Sequence, residues 1–407
     1  MIGQKEERLL EALKQSLNPE LEAQRKSEEA AAYYDMFDIA RKHAVLSLLS
    51  DVYEEDEGLP AGLRQELRQA AATVVRSNYR LLFLVKYITQ VLEKEGIRAI
   101  LLKGAATASY YPVPELRKAG DVDILIPEES VFGQAVEILE REGFAVQEEQ
   151  TALHHIELKN KEGISVEIHR ILAEPFESRK MNQYLEGLLP AYGGHVVLNS
   201  SWGVRFYQPG DAYHAFYLII HMLQHFLRAG FGLKFLCDWT VFWNHEVAAE
   251  EKETFLRLAS ESGTRGFVTV LTEACVRYLG LRRENVAFLL GETKDGEEAS
   301  AGNPGLGQLA EDFMEEVFVS GEFGHSQRKR MVAMRGTGIT AYVREFHHQM
   351  HLNYPNAGKV FVAWPLLWTL TLARFLYNNR VVRKVRGRDI LKEAKKRSQL
   401  IDKLELF

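Results

Sequence analysis

Asp121 and Asp123 stand one residue apart in the stretch DVDILI at 121–126. Side chains alternate between faces along a strand, so both carboxylates share one face while Val122, Ile124 and Ile126 take the other. Two like charges side by side repel, and a strand gains nothing from them. A divalent cation held between them removes that cost and makes a reaction centre. A third acid, Glu167, lies in ISVEIH at 164–169, where Glu167 and His169 alternate against Val166 and Ile168. Asp, Asp and Glu on neighbouring strands are a donor set for Mg²⁺ (or Mn²⁺) and for phosphoryl chemistry. The plainer alternative is a surface turn with solvated acids. Against it, these acids open an apolar strand, follow a strand–Lys–Gly–helix unit and have a third acid within reach.

That unit begins with Ile97 to Leu102, a short apolar run bounded by Gly96 and Gly104, which reads as a buried strand. Lys103 and Gly104 lead into Ala105, Ala106, Thr107 and Ala108, small residues suited to a tightly packed helix start. Backbone N–H groups after Gly104 are placed to cradle phosphate oxygens. Lys103 and Arg117 add cations, one a point charge and the other a planar fork.

The order Leu102-Lys103-Gly104, Tyr111-Pro112, Arg117, Asp121-x-Asp123 and Glu167-Ile168-His169 resembles the uncharacterised nucleotidyltransferase family of the polymerase-β-like superfamily. In that superfamily a Gly-Gly or Gly-Ser turn precedes a D-x-D or D-x-E pair, and a third acid sits on a later strand. Lys103-Gly104 departs from the broad pattern but matches the narrower family. The resemblance covers about residues 97–172 and continues more weakly through Gly232-Leu233-Lys234-Phe235-Leu236-Cys237-Asp238-Trp239. It implies that Asp121, Asp123 and Glu167 are the catalytic and metal-binding acids. It further implies a nucleotide pocket that Lys234 and Asp238 complete alongside Lys103, Gly104 and Arg117, although an i, i+4 Lys–Asp pair also reads as a surface ion pair.

The implied reaction moves a nucleoside monophosphate from a nucleoside triphosphate to a hydroxyl acceptor; attack at the γ-phosphorus would instead make a kinase. Relatives recur beside pathways for ribosomally made peptides, lasso peptides included, so the resemblance points to a peptide or a small-molecule hydroxyl acceptor. Two other readings stay open: a non-catalytic nucleotide- or peptide-binding module of the same fold, and a defence-system toxin acting on RNA or protein.

The expected fold class is α+β: a small mixed sheet with helices at 96–172, flanked by helical regions at 1–95 and 173–407. Helical spacing recurs at Glu6–Leu17, Ile39–Val52 and Leu63–Glu95. A helix at 128–142 follows the D-x-D strand, then strands at 144–149 and 153–159 and a turn at 160–163 into the Glu167 strand. His154 and His155 then point to opposite faces of one strand and do not act together. Residues 174–197 read as a linker or a helical excursion with a turn at Gly193-Gly194, and Trp202–Tyr207 as a strand. Ala212–Leu227 is a strong helix carrying His214, His221 and His225. The last two either are hydrogen-bonded in a buried helix or face the cleft. Helices are expected through 255–278 and 306–318, with a mobile loop at 291–307.

A formal charge of −6 gives no global reason to expect nucleic-acid binding. The region from Arg374 to Arg397 leaves it open, with ten basic residues against two acidic ones, and equally suits an anionic surface or an acidic peptide. The preceding run VFVAWPLLWTLTLA, interrupted by Pro365, is shorter than the roughly 20 apolar residues of a spanning helix, so no transmembrane segment is expected. Two cysteines, Cys237 and Cys275, make no disulfide framework, and the expected compartment is a reducing cytoplasm.

Overall fold

The computed structural model describes residues 2–21, 30–147, 154–200, 203–228, 230–291, 304–321, 360–377 and 398–404, with isolated positions between 343 and 354 and at 406. The protein is mostly helical around one seven-stranded mixed sheet, an α+β fold.

The strands are β1 (Ile100–Leu101), β2 (Val122–Leu125), β3 (Ala145–Val146), β4 (His155–Lys159), β5 (Ser165–His169), β6 (Val196–Asn199) and β7 (Phe206–Pro209). Their order across the sheet is β3-β4-β5-β2-β1-β7-β6. The pairs β2–β5 and β1–β7 are parallel and the remaining four pairs are antiparallel. β2 therefore sits near the middle, with Asp123 placed directly opposite Glu167 on β5. Two strands from beyond residue 172, β6 and β7, complete the sheet on the β1 side.

One face of the sheet is dry. Leu101, Val122, Ile124, Leu158, Val166 and Ile168 point into a core shared with helices α4 (Ala61–Lys94) and α6 (Glu129–Arg141). The C-terminal half of α4 contributes Leu81, Val85, Ile88 and Leu92, at the spacing of one helical face. Full burial of each such side chain is worth about 1.5–3 kcal/mol, and this fixes the register that turns the acids the other way. The opposite face carries Ile100 and Leu125 into a larger helical core formed by α1 (Gln4–Leu17), α8 (Asp211–Arg228), α9 (Leu233–Asn244) and α11 (Arg265–Leu279). The acids lie where the sheet meets these helices.

Residues 174–197 are largely not a linker. Arg179–Gly194 is a 16-residue helix, α7, whose Ser178 side chain accepts from the Met181 N–H as an N-cap. Pro190 and Gly193-Gly194 lie inside it and hide its period in the sequence; the edge strand β6 follows at once. The expected helix over 255–278 is two, α10 (Ala249–Glu261) and α11, parted by Gly263 at φ 71°. Pro365 starts the helix Trp364–Tyr377 rather than interrupting it, consistent with proline's tolerance in a first turn. No helix among the described residues is long and apolar enough to cross a membrane. Residues 331–338, 378–397 and most of the expected loop at 291–307 lie outside the described residues; α13 (Pro304–Ser320) starts within that loop's range.

Candidate active site

β1 ends at Leu101, and Gly104 adopts φ +68°, a left-handed conformation that favours glycine and turns the chain into the short helix α5 (Ala105–Ala108). α5 has four residues, too few to bring a substantial helix dipole to the site. Lys103, just before the turn, points into the space over Asp121 and Asp123. Its Nζ lies 3.1 Å from Asp123 Oδ1, 3.9 Å from Asp121 Oδ2 and 3.2 Å from His221 Nε2.

Asp121 immediately precedes β2, and Asp123 is its second residue, only 1% exposed. One oxygen each from Asp123 and Glu167 and one nitrogen of His169 lie within 4.8 Å of one another. His169 Nε2 is 3.2 Å from Asp123 Oδ1 and 3.3 Å from Glu167 Oε2. Lys103 and His169 thus converge on the same oxygen, Asp123 Oδ1. Asp123 Oδ2 is buried with no hydrogen-bond partner among the described residues, which is costly for a carboxylate unless something else binds it.

The electrostatics follow from this crowding. The Asp123 charge is the main cause that raises the Asp121 pKa, with Lys103 opposing. Burial pushes Lys103 down, but Asp121 and Asp123 outweigh it and hold the ammonium charged, well above its usual value. Burial likewise opposes charge on His169, yet its hydrogen bonds to Asp123 and Glu167 lift it to about 9. Burial raises Glu167, while the His169 hydrogen bond and Lys103 bring it below the usual carboxylate range.

A cavity of about 390 Å³ opens over this face, within the roughly 300–1,000 Å³ of small-molecule sites. Lys103, Gly104, Arg117, Asp121, Asp123, Glu167, Lys234 and Asp238 all line it, so every sequence-derived site residue reaches one space. They do not all present free groups to it. Arg117, 4% exposed, makes a double ion-paired hydrogen bond to Asp238, Nε to Oδ1 and Nη2 to Oδ2, both at 2.7 Å. Tyr111 donates to the same carboxylate at 2.6 Å, and Arg117 Nη1 reaches the Gly104 carbonyl at 3.4 Å. Asp238 therefore pairs with Arg117, across the loop, and Lys234 instead lies 5.6 Å from the Phe235 ring centroid. The Arg117–Asp238 pair ties the 104–121 loop to α9 and positions Gly104.

Asn78 and His169 contribute beyond the residues assigned to the site from sequence. Asn78 on α4 is buried, and its Nδ2 donates to the carbonyls of Glu115 and Arg117 at 2.7 and 2.8 Å, holding the same loop. His169 shares the Glu167 strand face and bonds two of the acids; its i, i+2 spacing from Glu167 carried that signal. The separation of His154 and His155 is corrected. His154 sits in a bend before β4, where alternation does not apply, and its Nε2 lies 2.7 Å from His155 Nδ1. His221 and His225 are half-buried and also line the cavity, their Nε2 atoms 3.2 Å apart. Burial and the nearby Lys103 charge lower both, His225 to about 4.

The Asp-x-Asp strand, the third acid on the adjacent strand and the Lys–Gly turn thus stand together on one mixed sheet. The chain belongs to the uncharacterised nucleotidyltransferase family, whose model matches residues 32–280, more than half of its length. Among solved structures, an antigenic nucleotidyltransferase-like protein from Paracoccidioides brasiliensis aligns with 50% of this chain and 93% of its own at 15% identity, with a TM-score of 0.30. That likeness is too slight to carry an argument. No curated protein matches the chain.

Proposed function

We propose that this protein is a Mg²⁺- or Mn²⁺-dependent nucleotidyltransferase that moves a nucleoside monophosphate from a nucleoside triphosphate to a hydroxyl acceptor and releases pyrophosphate. The observation that carries the reading is the register Asp123 opposite Glu167, which sets two acids side by side under a cavity that Asp121 also lines. The donor set fits a hard divalent cation: carboxylate oxygens, one of them Asp123 Oδ2, buried and without a partner among the described residues. Asp121, Asp123 and Glu167 would hold it. When bound, such an ion neutralises phosphate charge and acidifies an oxygen ligand.

The remaining steps belong to the chain's own residues. Lys103 keeps a full positive charge at the cavity floor and is assigned to the triphosphate. Gly104 brings backbone close to the bound phosphates, on a loop fixed by Arg117, Asp238 and Asn78. Lys234, on the facing helix, adds a second cation to the nucleotide wall. Glu167, held ionised by His169, takes the acceptor's hydroxyl proton. Its lowered pKa makes it a ready but weak base, so acidification of the hydroxyl must share the work. A ribosomally made peptide, such as a lasso peptide, or a small hydroxyl metabolite is the proposed acceptor, with nucleic acid a lesser choice. We place these parts in a 96–172 catalytic core flanked by helical regions at 1–95 and 173–407, and the protein in the cytoplasm.

The test is incubation with each nucleoside triphosphate, Mg²⁺ or Mn²⁺ and candidate hydroxyl acceptors, followed by mass spectrometry. A gain of one nucleoside monophosphate on the acceptor, with pyrophosphate released and both lost in Asp121→Asn, is the expected result. A gain of one phosphate alone would make the protein a kinase. Nucleotide binding without transfer to any acceptor would make it a binding module.

A further inference from the structure

Beside the acids lies a second cluster, which shares His169 with them and adds His154 and His155. β4 and β5 run antiparallel with His155 directly opposite His169, so both rings rise from the same sheet face. His154, in the bend before β4, turns its ring onto the other two. Ring centroids are 4.2 Å apart for His154–His155, 5.3 Å for His155–His169 and 5.8 Å for His154–His169. One ring nitrogen from each of the three lies within 4.8 Å of the others. Three imidazoles around an ion with metal–nitrogen bonds of about 2.0–2.1 Å stand roughly 3.4 Å apart, so little movement closes the set.

Hydrogen bonding alone leaves this cluster incomplete. His154 and His169 are 7% and 4% exposed, yet Nδ1 of each has no hydrogen-bond partner among the described residues. Buried imidazole nitrogens without partners are costly, and a metal bond would satisfy them. Of their other nitrogens, His169 Nε2 faces Asp123 and Glu167, while His154 Nε2 lies 2.7 Å from His155 Nδ1 and 3.9 Å from Glu174 Oε1. Metal-ligating histidines characteristically give their second ring nitrogen to such a carboxylate.

The geometry points to a transition-metal site formed by His154, His155 and His169, adjoining the hard-cation site of the acids through His169. Three imidazoles select a borderline ion, Zn²⁺ above all, over Mg²⁺. All three histidines line the cavity. With only three protein nitrogens, the ion keeps a coordination position for an oxygen of a bound molecule. The site goes beyond the nucleotidyl reading, and its binding is measured without any turnover.

The experiment titrates the full chain with Co²⁺, a coloured stand-in for Zn²⁺, at saturating Mg²⁺. Wild type should bind one equivalent of Co²⁺ with the intense visible absorption of low-coordinate nitrogen ligation. His154→Ala/His155→Ala should weaken it by about 100-fold or more, while Asp121→Asn should leave affinity and spectrum unchanged. No binding by wild type, an unaltered spectrum in the double variant, or loss in Asp121→Asn would each overturn the site. X-ray absorption on Zn²⁺-loaded wild type covers the case in which the double variant does not fold. Imidazole scattering at about 2.0–2.1 Å is expected, and a shell of oxygen alone would overturn the assignment.

Discussion

Asp123 and Glu167 face each other across the parallel β2–β5 ladder, and His169 Nε2 lies within 3.3 Å of a carboxylate oxygen of each. Asp121→Asn and Glu167→Gln should therefore lower metal-dependent turnover by about 100-fold or more, the scale on which single electrostatic contributors to a transition state act. Their folds should survive. Asp121 carries a pKa raised chiefly by the Asp123 charge, so Asn relieves repulsion there. Its stability should change by less than about 0.5 kcal/mol or rise slightly. Asp123→Asn differs, because Lys103 and His169 both lean on its Oδ1. It should cost about 1–3 kcal/mol as well as activity. Turnover unchanged in any of the three would remove that acid from the site.

Lys103 occupies part of the charge that a divalent ion would also meet. Its Nζ lies 3.1 Å from Asp123 Oδ1 with only 17% of the side chain exposed. Lys103→Met leaves the carboxylates facing one another with less compensation, so it should melt at a lower temperature without divalent ions. Millimolar Mg²⁺ should then raise its Tm by more than it raises the wild type's, since binding to the folded state stabilises by RT ln(1 + [L]/Kd). The same variant should lose affinity for a nucleoside triphosphate more than for a monophosphate. An equal or smaller Mg²⁺ shift in the variant would show that Lys103 does not compete for the acids.

The acids were legible because period-two alternation needs only local sequence: Asp121, Asp123 and Glu167 each announce their face through the apolar residues between them. His169 was legible in principle by the same rule. The Arg117–Asp238 pair was not, since its partners are 121 residues apart and a helix surface offers each side chain many directions. An i, i+4 neighbour such as Lys234 is the only partner local spacing suggests for Asp238. His154 escaped because alternation was applied one residue beyond the strand's true start. β6 has no local signal, and α7 reads equally as linker or helix, because Pro190 and the paired glycines resemble a break, although the helix tolerates them near its C-terminal end. The convergence of α8 and α9 on the cavity depends on packing that no single segment encodes.

The Arg117–Asp238 pair gives a sharp stability test. Both groups are buried, and removing one leaves the other as an unpaired charge. Asp238→Ala should cost about 3–5 kcal/mol, the usual penalty for breaking a buried pair. Arg117→Met/Asp238→Leu, which removes both charges at similar volume, should recover most of that loss. Activity should stay low in the double variant because Arg117 no longer holds the Gly104 carbonyl. Urea midpoints of the two variants against wild type measure the difference. A cost below about 1 kcal/mol for Asp238→Ala would mean the pair adds little to the fold.

Two histidines remote from the acids set an acid limit on stability. His43 is 1% exposed, and its Nδ1 accepts a hydrogen bond from the Leu233 N–H at 3.2 Å, a role that only the uncharged ring can fill. Burial lowers its pKa to about 4, and burial also lowers His214, fully enclosed near Tyr110 and Phe242, to about 4. Unfolded, both return to about 6.5. Below that value the unfolded chain binds protons that the folded chain refuses, so stability rises with pH between about 4 and 6.5 and falls as pH drops through that window. Each group steepens the slope by up to about 1.4 kcal/mol per pH unit. Melting curves across this range should show the decline, and His214→Gln should flatten it by roughly one proton's worth. A slope unchanged in that variant would show that His214 takes up its proton without unfolding.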